Sequence, residues 1–285
     1  MTRTSSASSE VSIVRHMCPL CEAGCGLDVH LTHGDVSLVR GDRLDVFSKG
    51  FLCPKGPALK ALQHDPDRLR RPLVKRDGSF VEVEFDEAFA EVDRLLGPVL
   101  RECGRESCGL VIGNPTVHRT GLVLYALDLA AALGSPNVFS AATLDQMPKH
   151  LAVGHMFGDF YSIPVPDIER TDLLVVVGAN PIVSNGSMWS VPDFRGKAAA
   201  LRARGGEIIT IDPRLTETAN IADRHYPIRP GTDVMLLAAI VGVLFDEDLV
   251  DTGPAGAFMS GLEDVGGAVT DFGAERVARA LRHCL

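Results

Sequence analysis

The hydrophobic pattern of the chain changes rhythm near residue 85. Before that point apolar residues come in short runs broken by turn residues. The stretch "GLDVHLTHGDVSLVRGD" (26–42) alternates apolar and polar positions on either side of His33-Gly34-Asp35, the pattern of a β-hairpin. A polar crossing, "DPDRLRRPLVKRDGSFVEVEF", carries a second turn signal at "DGSF". Beyond it the period lengthens. "DEAFAEVDRLLGPVLREC" has helical spacing and a good start at Asp86. "SCGLVIG" reads as a buried strand, "TGLVLYALDLAAALG" as a helix closed by Gly134, and "NVFSA" follows it. The alternation then repeats. "TDLLVVVGANP" is an apolar run ending in Gly and Asn, "FRGKAAALRARGG" a helix with a double-glycine stop, "EIITIDPR" a strand and "TDVMLLAAIVGVLF" a helix.

Strands alternating with helices predict an α/β fold with a mainly parallel, doubly wound sheet, preceded by a small β-rich N-terminal domain. In such sheets ligands bind beyond the carboxyl ends of the strands. Here those ends read "IGNP" (112–115), "GANP" (178–181) and "DPR" (212–214). Each joins Gly or Pro to a small polar residue, which suits close backbone approach to a phosphate or a purine edge. Each taken alone is also an ordinary strand-to-helix turn. No G-x-G-x-x-G is present, so an ordinary nicotinamide site is not supported.

Composition narrows the class. The chain has 285 residues, 46% of them hydrophobic, and a formal net charge of −9. That supports a soluble globular protein with a sizeable core and argues against a nucleic-acid partner. No apolar run approaches about 18 residues, so no membrane span is expected. Residues 1–10, "MTRTSSASSE", are Ser/Thr-rich and read as disordered, with no apolar export segment or twin arginine. The expected compartment is the cytoplasm, where thiols stay reduced.

In that setting the seven cysteines point to metal or to buried thiols. Three crowd into "CPLCEAGCG": Cys18, Cys21 and Cys25, spaced C-x2-C and C-x3-C. The next is Cys53, in "KGFLCPKG", with 27 residues between it and Cys25. Four thiolates, three on one tight loop and one remote, suit a [4Fe–4S] cluster. Tetrahedral zinc also takes four thiolates, usually as two C-x2-C pairs, and only one such pair exists here. Gly24 and Gly26 flank Cys25 and let the backbone approach a bulky cluster. Lys55, two residues after Cys53, supplies a cation that would tune it. Cys103, Cys108 and Cys284 sit in or beside apolar patterns and read as buried small hydrophobes.

These segments, with "DPDRLRRPLVKRDGSF", "FDEAFAEVDRLL" and "GGEIITIDPRLTETANIADRHYPIRPGTD", occur in the order found in a known group. The chain resembles the molybdopterin oxidoreductases of the dimethyl sulfoxide reductase type, which include formate dehydrogenases and nitrate reductases. The resemblance implies a [4Fe–4S] domain over 11–75, with Cys18, Cys21, Cys25 and Cys53 as ligands. It implies a dinucleotide-binding α/β domain over 76–285. Lys55 matches the lysine between cluster and pterin. Gly178, Asn180 and Pro181, then Asp212, Pro213 and Arg214, then Gly231 and Asp233 match segments that hold a molybdopterin guanine dinucleotide. The implied cofactor is a molybdenum or tungsten bis-molybdopterin guanine dinucleotide. Its protein ligand in the family precedes a Phe-Gly or similar pair. In "SAATLDQMPKHLAVGHMFG" that position falls nearest Asp145, with Ser140 and Thr143 as substitutes and His150 and His155 as nearby proton-handling groups. The stretch has no cysteine, which argues against a formate branch.

Relative to that family the chain stops early. The expectation is therefore the N-terminal part of an oxidoreductase acting on a small molecule. It would work with an electron-transfer partner protein and a chain supplying the C-terminal half. The alternatives are a non-catalytic iron–sulfur electron-transfer or assembly module, one piece of a split enzyme, or a zinc-stabilised nucleotide-binding protein.

Overall fold

The computed structural model describes residues 11–281. The expected disorder of residues 1–10 and the expected burial of Cys284 fall outside them. The chain packs as two compact units. The first takes residues up to Pro166 together with Ser184–Asp193; the second takes Asp167–Val183 and the chain from Phe194 onward.

The first unit opens with an antiparallel sheet of β1 (Val11–Met17), β2 (Gly26–Thr32) and β3 (Asp35–Gly41), in the order β1-β2-β3. The hairpin expected at His33-Gly34 is there. Both residues have positive φ, 53° and 84°, the geometry that matches the right-handed twist of the flanking strands. Then come α1 (Lys55–Gln63), the hairpin β4 (Leu73–Arg76) and β5 (Ser79–Glu82), turning at Asp77-Gly78, and the long helix α2 (Phe85–Cys103). α2 begins one residue before the expected Asp86, which with Glu87 places acid in the first turn, where the helix dipole favours it. A parallel pair follows, β6 (Leu110–Ile112) and β7 (Val138–Ser140), joined through α3 (Thr120–Leu133). Gly134 closes α3 in the left-handed conformation, and Arg105 Nη1 donates to its last carbonyls, Ala132 O at 2.6 Å and Leu133 O at 2.8 Å. Two helices end this stretch, α4 (Ala142–Asp145) and α5 (Met147–Phe157).

The second unit is a three-stranded parallel sheet, order β10-β9-β8, from β8 (Leu173–Val177), β9 (Glu207–Ile211) and β10 (Arg224–Tyr226). Its helices are α7 (Phe194–Ala203), α8 (Asp233–Asp246), α9 (Leu262–Val269) and α10 (Ala274–Leu281); the short α6 (Pro181–Ser184) leads out of it. Phe194, Ala198 and Leu201 of α7 are buried at helical spacing, and β9 buries Ile208, Thr210 and Ile211. The α/β class stands, with its parallel strands distributed over two sheets.

Two expectations about burial do not hold. β6 is a strand of three residues whose Val111 is 79% exposed, because no further layer covers it among the described residues. Cys103 is exposed at the end of α2 and Cys108 is only half-buried. α2 and α3 bury no residue; Phe85, Phe89 and Leu95 on one, and Tyr125, Leu127 and Leu129 on the other, are exposed. Among the described residues no helix is long and apolar enough to cross a membrane.

A glycine fixes how the chain returns to the first sheet. A Cβ on Gly41 would stand 2.2 Å from the carbonyl oxygen of Gly50, backbone that cannot swing aside. Gly41→Ala is expected to cost about 1–3 kcal/mol through overpacking. Gly121→Ala, in open space inside α3, is expected to be neutral or to stabilise by up to about 1 kcal/mol. Urea unfolding of both variants checks the contrast.

Candidate metal centre

The cysteine loop joins β1 to β2. The Cys18 amide donates to the Cys25 carbonyl at 2.8 Å and the Gly24 amide to the Cys21 carbonyl at 3.2 Å, so the loop folds back on itself. Gly24 takes φ 55°, which a side chain would strain. Gly26 serves a different purpose from the expected one. Its Cβ would lie 2.5 Å from the Cβ of Asp45, so it admits the 42–50 loop rather than a cluster. That loop is pinned by Ser48, fully buried, whose hydroxyl accepts from the Gly26 amide at 3.1 Å and donates to Asp45 Oδ2 at 2.7 Å. Burial pushes the Asp45 carboxyl up, but donation from the Ser48 hydroxyl and from the amides of Ser48, Gly26 and Phe47 outweighs it and holds the group below its ordinary value.

Cys18, Cys25, Ala23, Leu27 and Val39 form one buried cluster, with Leu20, Cys21, Val29, Val36, Leu52 and Leu59 packed against it. Cys53 ends the return loop, and its carbonyl accepts from the Gly56 amide at 3.0 Å as α1 begins. Cys18 and Cys25 each lie within range of the charges of Cys21 and Cys53. Burial pushes the Cys18 thiol up; the Leu20 amide offsets part of this, Cys21 and Cys53 add to it, and Lys55 opposes it. Burial likewise pushes the Cys25 thiol up against a hydrogen bond from Asn185, with Cys18, Cys21 and Cys53 adding to the rise. Yet among the described residues no three His, Cys, Asp or Glu side chains converge closely enough to hold a single metal ion. Four soft sulfur donors in a low-dielectric shell fit a polynuclear iron–sulfur group.

Lys55 is the first residue of α1, whose first turn holds no acid. A lysine at a helix N-terminus opposes the macrodipole. The arrangement becomes favourable once negative charge is held at the adjacent thiols.

Three residues from distant parts of the chain clamp the loop; Asn114 lies in the "IGNP" turn read as open to a ligand, while Asn185 and Ser190 did not stand out in the sequence. Asn114 Nδ2 donates to the Leu20 carbonyl at 3.0 Å, Ser190 Oγ to the Ala23 carbonyl at 2.8 Å, and Asn185 Nδ2 to Cys25 Sγ at 3.5 Å. The "IGNP" turn therefore addresses the cysteine loop. Asp145 ends α4, exposed, and lines a cavity of about 300 Å³ with Glu22 of the cysteine loop, Gln146, Lys149 and Trp189. His150 Nδ1 donates to the Phe160 carbonyl at 2.6 Å and its ring meets Tyr161 edge-on, so it is tied up structurally.

In the second unit the expected dinucleotide residues lie beyond the strand ends. Gly178 follows β8 with φ 60°, and its amide donates to the Ile211 carbonyl at 2.9 Å. Asn180 organises the turn. Its Nδ2 donates to Glu217 Oε2 at 2.7 Å, and its Oδ1 accepts from the Thr218 hydroxyl at 2.7 Å and amide at 3.2 Å. Arg214 Nη2 stands 4.0 Å from the same Glu217 carboxylate, joining the two turns through residues not singled out in the sequence. Asp212 accepts from the Arg214 amide at 2.8 Å. Pro181 is buried, and Pro213 lines an apolar cavity of about 670 Å³ with Ile211, Tyr226, Leu236 and Ile240. Gly231, φ 80°, and Asp233 open α8. Nothing lies within 4 Å of where a Cβ would stand on Gly178 or Gly231, so the backbone is open to a ligand at both. These turns fit a dinucleotide's phosphates and polar edges.

Raised thiols have a consequence for the metal-free chain. Stability linked to Cys18 and Cys25 is full below the ordinary thiol pKa of about 8.5 and is lost as pH rises through their higher folded values. At neutral pH both stay protonated and react slowly. Iodoacetamide labelling of the metal-free chain, read by peptide mass spectrometry, is expected to modify exposed Cys103 well before Cys18 and Cys25.

Comparison with known proteins agrees with this geometry. The family model "Molybdopterin oxidoreductase Fe4S4 domain" matches residues 12–64, and "Molybdopterin oxidoreductase" matches residues 68–272. A sulfite dehydrogenase chain of Allochromatium vinosum is 31% identical over 88% of this chain and 25% of its own length. An F420-dependent formate dehydrogenase chain of Methanococcus maripaludis is 28% identical over 85% of this chain and 34% of its own. A nitrate reductase of Shewanella frigidimarina is 28% identical over 90% and 27% respectively. Among solved structures, acetylene hydratase from Pelobacter acetylenicus shares the fold, with a TM-score of 0.72 at 23% identity over 94% of this chain and 36% of that one. The chain thus spans a quarter to a third of these three relatives. The chain belongs to the molybdopterin oxidoreductase family, over the portion that carries its [4Fe–4S] and molybdopterin-binding domains.

Proposed function

We propose that this chain is the N-terminal portion of a molybdenum or tungsten oxidoreductase that acts on a small substrate and passes electrons to a partner protein. One observation carries the reading: Cys18, Cys21 and Cys25 share one buried cluster, and the charge of Cys53, from a second loop, reaches Cys18 and Cys25, inside a region that matches the family's cluster domain. Residues 11–75 form the cluster domain and 76–285 the dinucleotide-binding domain. When bound, the metal–pterin supplies two-electron chemistry and the [4Fe–4S] group supplies one-electron transfer.

The chain's residues divide the remaining work. Cys18, Cys21, Cys25 and Cys53 hold the cluster, and Leu20, Leu27 and Val39 keep water from it. Lys55 holds a positive charge beside Cys18, on the route toward the pterin. The Gly178–Pro181 and Asp212–Arg214 turns and the start of α8 at Gly231 and Asp233 hold a bis-molybdopterin guanine dinucleotide. Backbone amides take the phosphates, and carboxylates accept hydrogen bonds from guanine or ribose edges. Asp145 supplies a carboxylate oxygen to the metal, a hard donor suited to its oxidised form. Six described cysteines are all unpaired, which supports a cytoplasmic location.

The exposed apolar faces of α2 and α3 favour one addition. A further polypeptide covers them, either downstream in the same protein or as a separate chain. The alternative of an electron-transfer or assembly module shares the cluster and lacks a working metal–pterin site.

Anaerobic reconstitution tests the cluster. About four irons and four sulfides per chain are expected, with a characteristic absorbance and an EPR signal on reduction. Cys53→Ser should abolish the signal, and uptake of one zinc with no iron would overturn the assignment. In the completed enzyme, Asp145→Ala is expected to lose molybdenum or tungsten; unchanged metal content and activity would remove Asp145 from the site.

A further inference from the structure

Asn185 is a side chain from outside the two cysteine loops that donates to a cysteine sulfur. It lies 160 residues from Cys25 in sequence, yet its Nδ2 stands 3.5 Å from Cys25 Sγ, and it is buried. An amide placed there has nothing to gain from the apolar shell around it. Leu27, Val39 and Ala23 offer no side-chain acceptor, and a buried N–H without one costs about 1–3 kcal/mol.

The backbone is bent to make the contact. Asn185 has φ 57°, Gly186 81°, Ser187 50°, Ser190 44° and Asp193 51°, so five residues between 185 and 193 take positive φ. Left-handed non-glycine residues each cost of order 1–3 kcal/mol and persist where their surroundings over-determine them. Here the surroundings are the cysteine loop. The Asn185 carbonyl accepts from the Val191 amide at 3.0 Å, closing a small loop, and Ser190 Oγ donates both to the Ala23 carbonyl and to the Ser187 carbonyl at 3.1 Å. Ser190 thus locks the loop's backbone, while Asn185 reaches a sulfur.

We propose that Asn185 is a positioning residue that sets the reduction potential of the cluster by donating a hydrogen bond to the Cys25 sulfur. The inference rests on the cluster assignment above. Reduction adds one electron, and the added negative charge is shared by the ligand sulfurs. A donor aimed at one of them stabilises the reduced form more than the oxidised form and raises the potential. Lys55 acts on Cys18 through space, whereas Asn185 acts on Cys25 by direct contact, so the two tune opposite members of the loop.

The test is a potentiometric EPR titration of the anaerobically reconstituted full chain. Asn185→Gly keeps the left-handed backbone and removes the donor. Asn185→Leu also removes it, and keeps water from replacing it. Both are expected to lower the midpoint potential. At a fixed ambient potential the reduced-to-oxidised ratio should fall about tenfold, equivalent to about 59 mV for one electron. Ser190→Ala is expected to hasten cluster loss and leave the potential in place. Wild-type potentials in both Asn185 variants at full iron content would overturn the proposal. A second measurement needs no variant. Wild-type chain carrying asparagine labelled with nitrogen-15 in the side-chain amide should show a nitrogen-15 coupling to the reduced cluster in pulsed EPR, and its absence would overturn the proposal equally. Failure of the wild type to take up iron would sink the cluster assignment instead.

Discussion

Thiols crowded into an apolar shell repel one another as soon as they ionise, and most of the first unit is a response to that constraint. Burial raises the cost of ionising Cys18 and Cys25, and the charges of Cys21 and Cys53 raise it further at both. The fold answers with donors. The Leu20 amide and Lys55 act on Cys18, Asn185 acts on Cys25, and the N-terminus of α1 starts two residues beyond Cys53. One cation and several N–H groups are gathered where negative charge is to be held. Such a site is poorly balanced when empty and well balanced when it holds an anionic cluster.

The same economy of placement shows in the return loop. The chain needs a tight passage from β3 to Cys53, and it uses the Asp45–Ser48–Gly26 network to pin the loop against the end of β2. A carboxylate accepting several amide and hydroxyl bonds is a strong local anchor. In the second unit a carboxylate also holds backbone turns. Glu217 lies between Asn180 and Arg214 and lines up two strand ends that are 34 residues apart in sequence.

Features encoded within a few residues were legible in the sequence. Both hairpin turns, the Gly134 stop and the periods of α7 and α8 follow from neighbouring side chains, and all are in the structure where the pattern places them. The nearness of Cys21 and Cys53 to Cys18 and Cys25 was legible because the spacing is also local, apart from one long return. What the sequence concealed depends on which surfaces meet. Val111 and Cys103 look like core residues by composition, yet no layer covers them among the described residues. Gly26 looked like room for a cluster and is room for Asp45. Asn185 and Ser190 are ordinary turn residues in one dimension, and the "IGNP" turn that holds Asn114 reads as facing a ligand; the partners of all three on the cysteine loop lie 94, 160 and 167 residues away for Asn114, Asn185 and Ser190. The separation of Asn180 from Glu217 concealed that pairing in the same way.

The order of synthesis gives the Asn185 contact a further meaning. Cys18, Cys21, Cys25 and Cys53 lie well before Asn185 in the chain, and the side chain that donates to Cys25 is made much later. At ribosomal speeds of about 5–20 residues per second, the thiols exist for roughly 7 to 26 s before Asn185 has been made. During that interval the cysteine loop exists without the side chain that donates to Cys25. The contact is thus a late part of the cysteine loop's surroundings to become available, and it joins the finished loop to a segment made long after it.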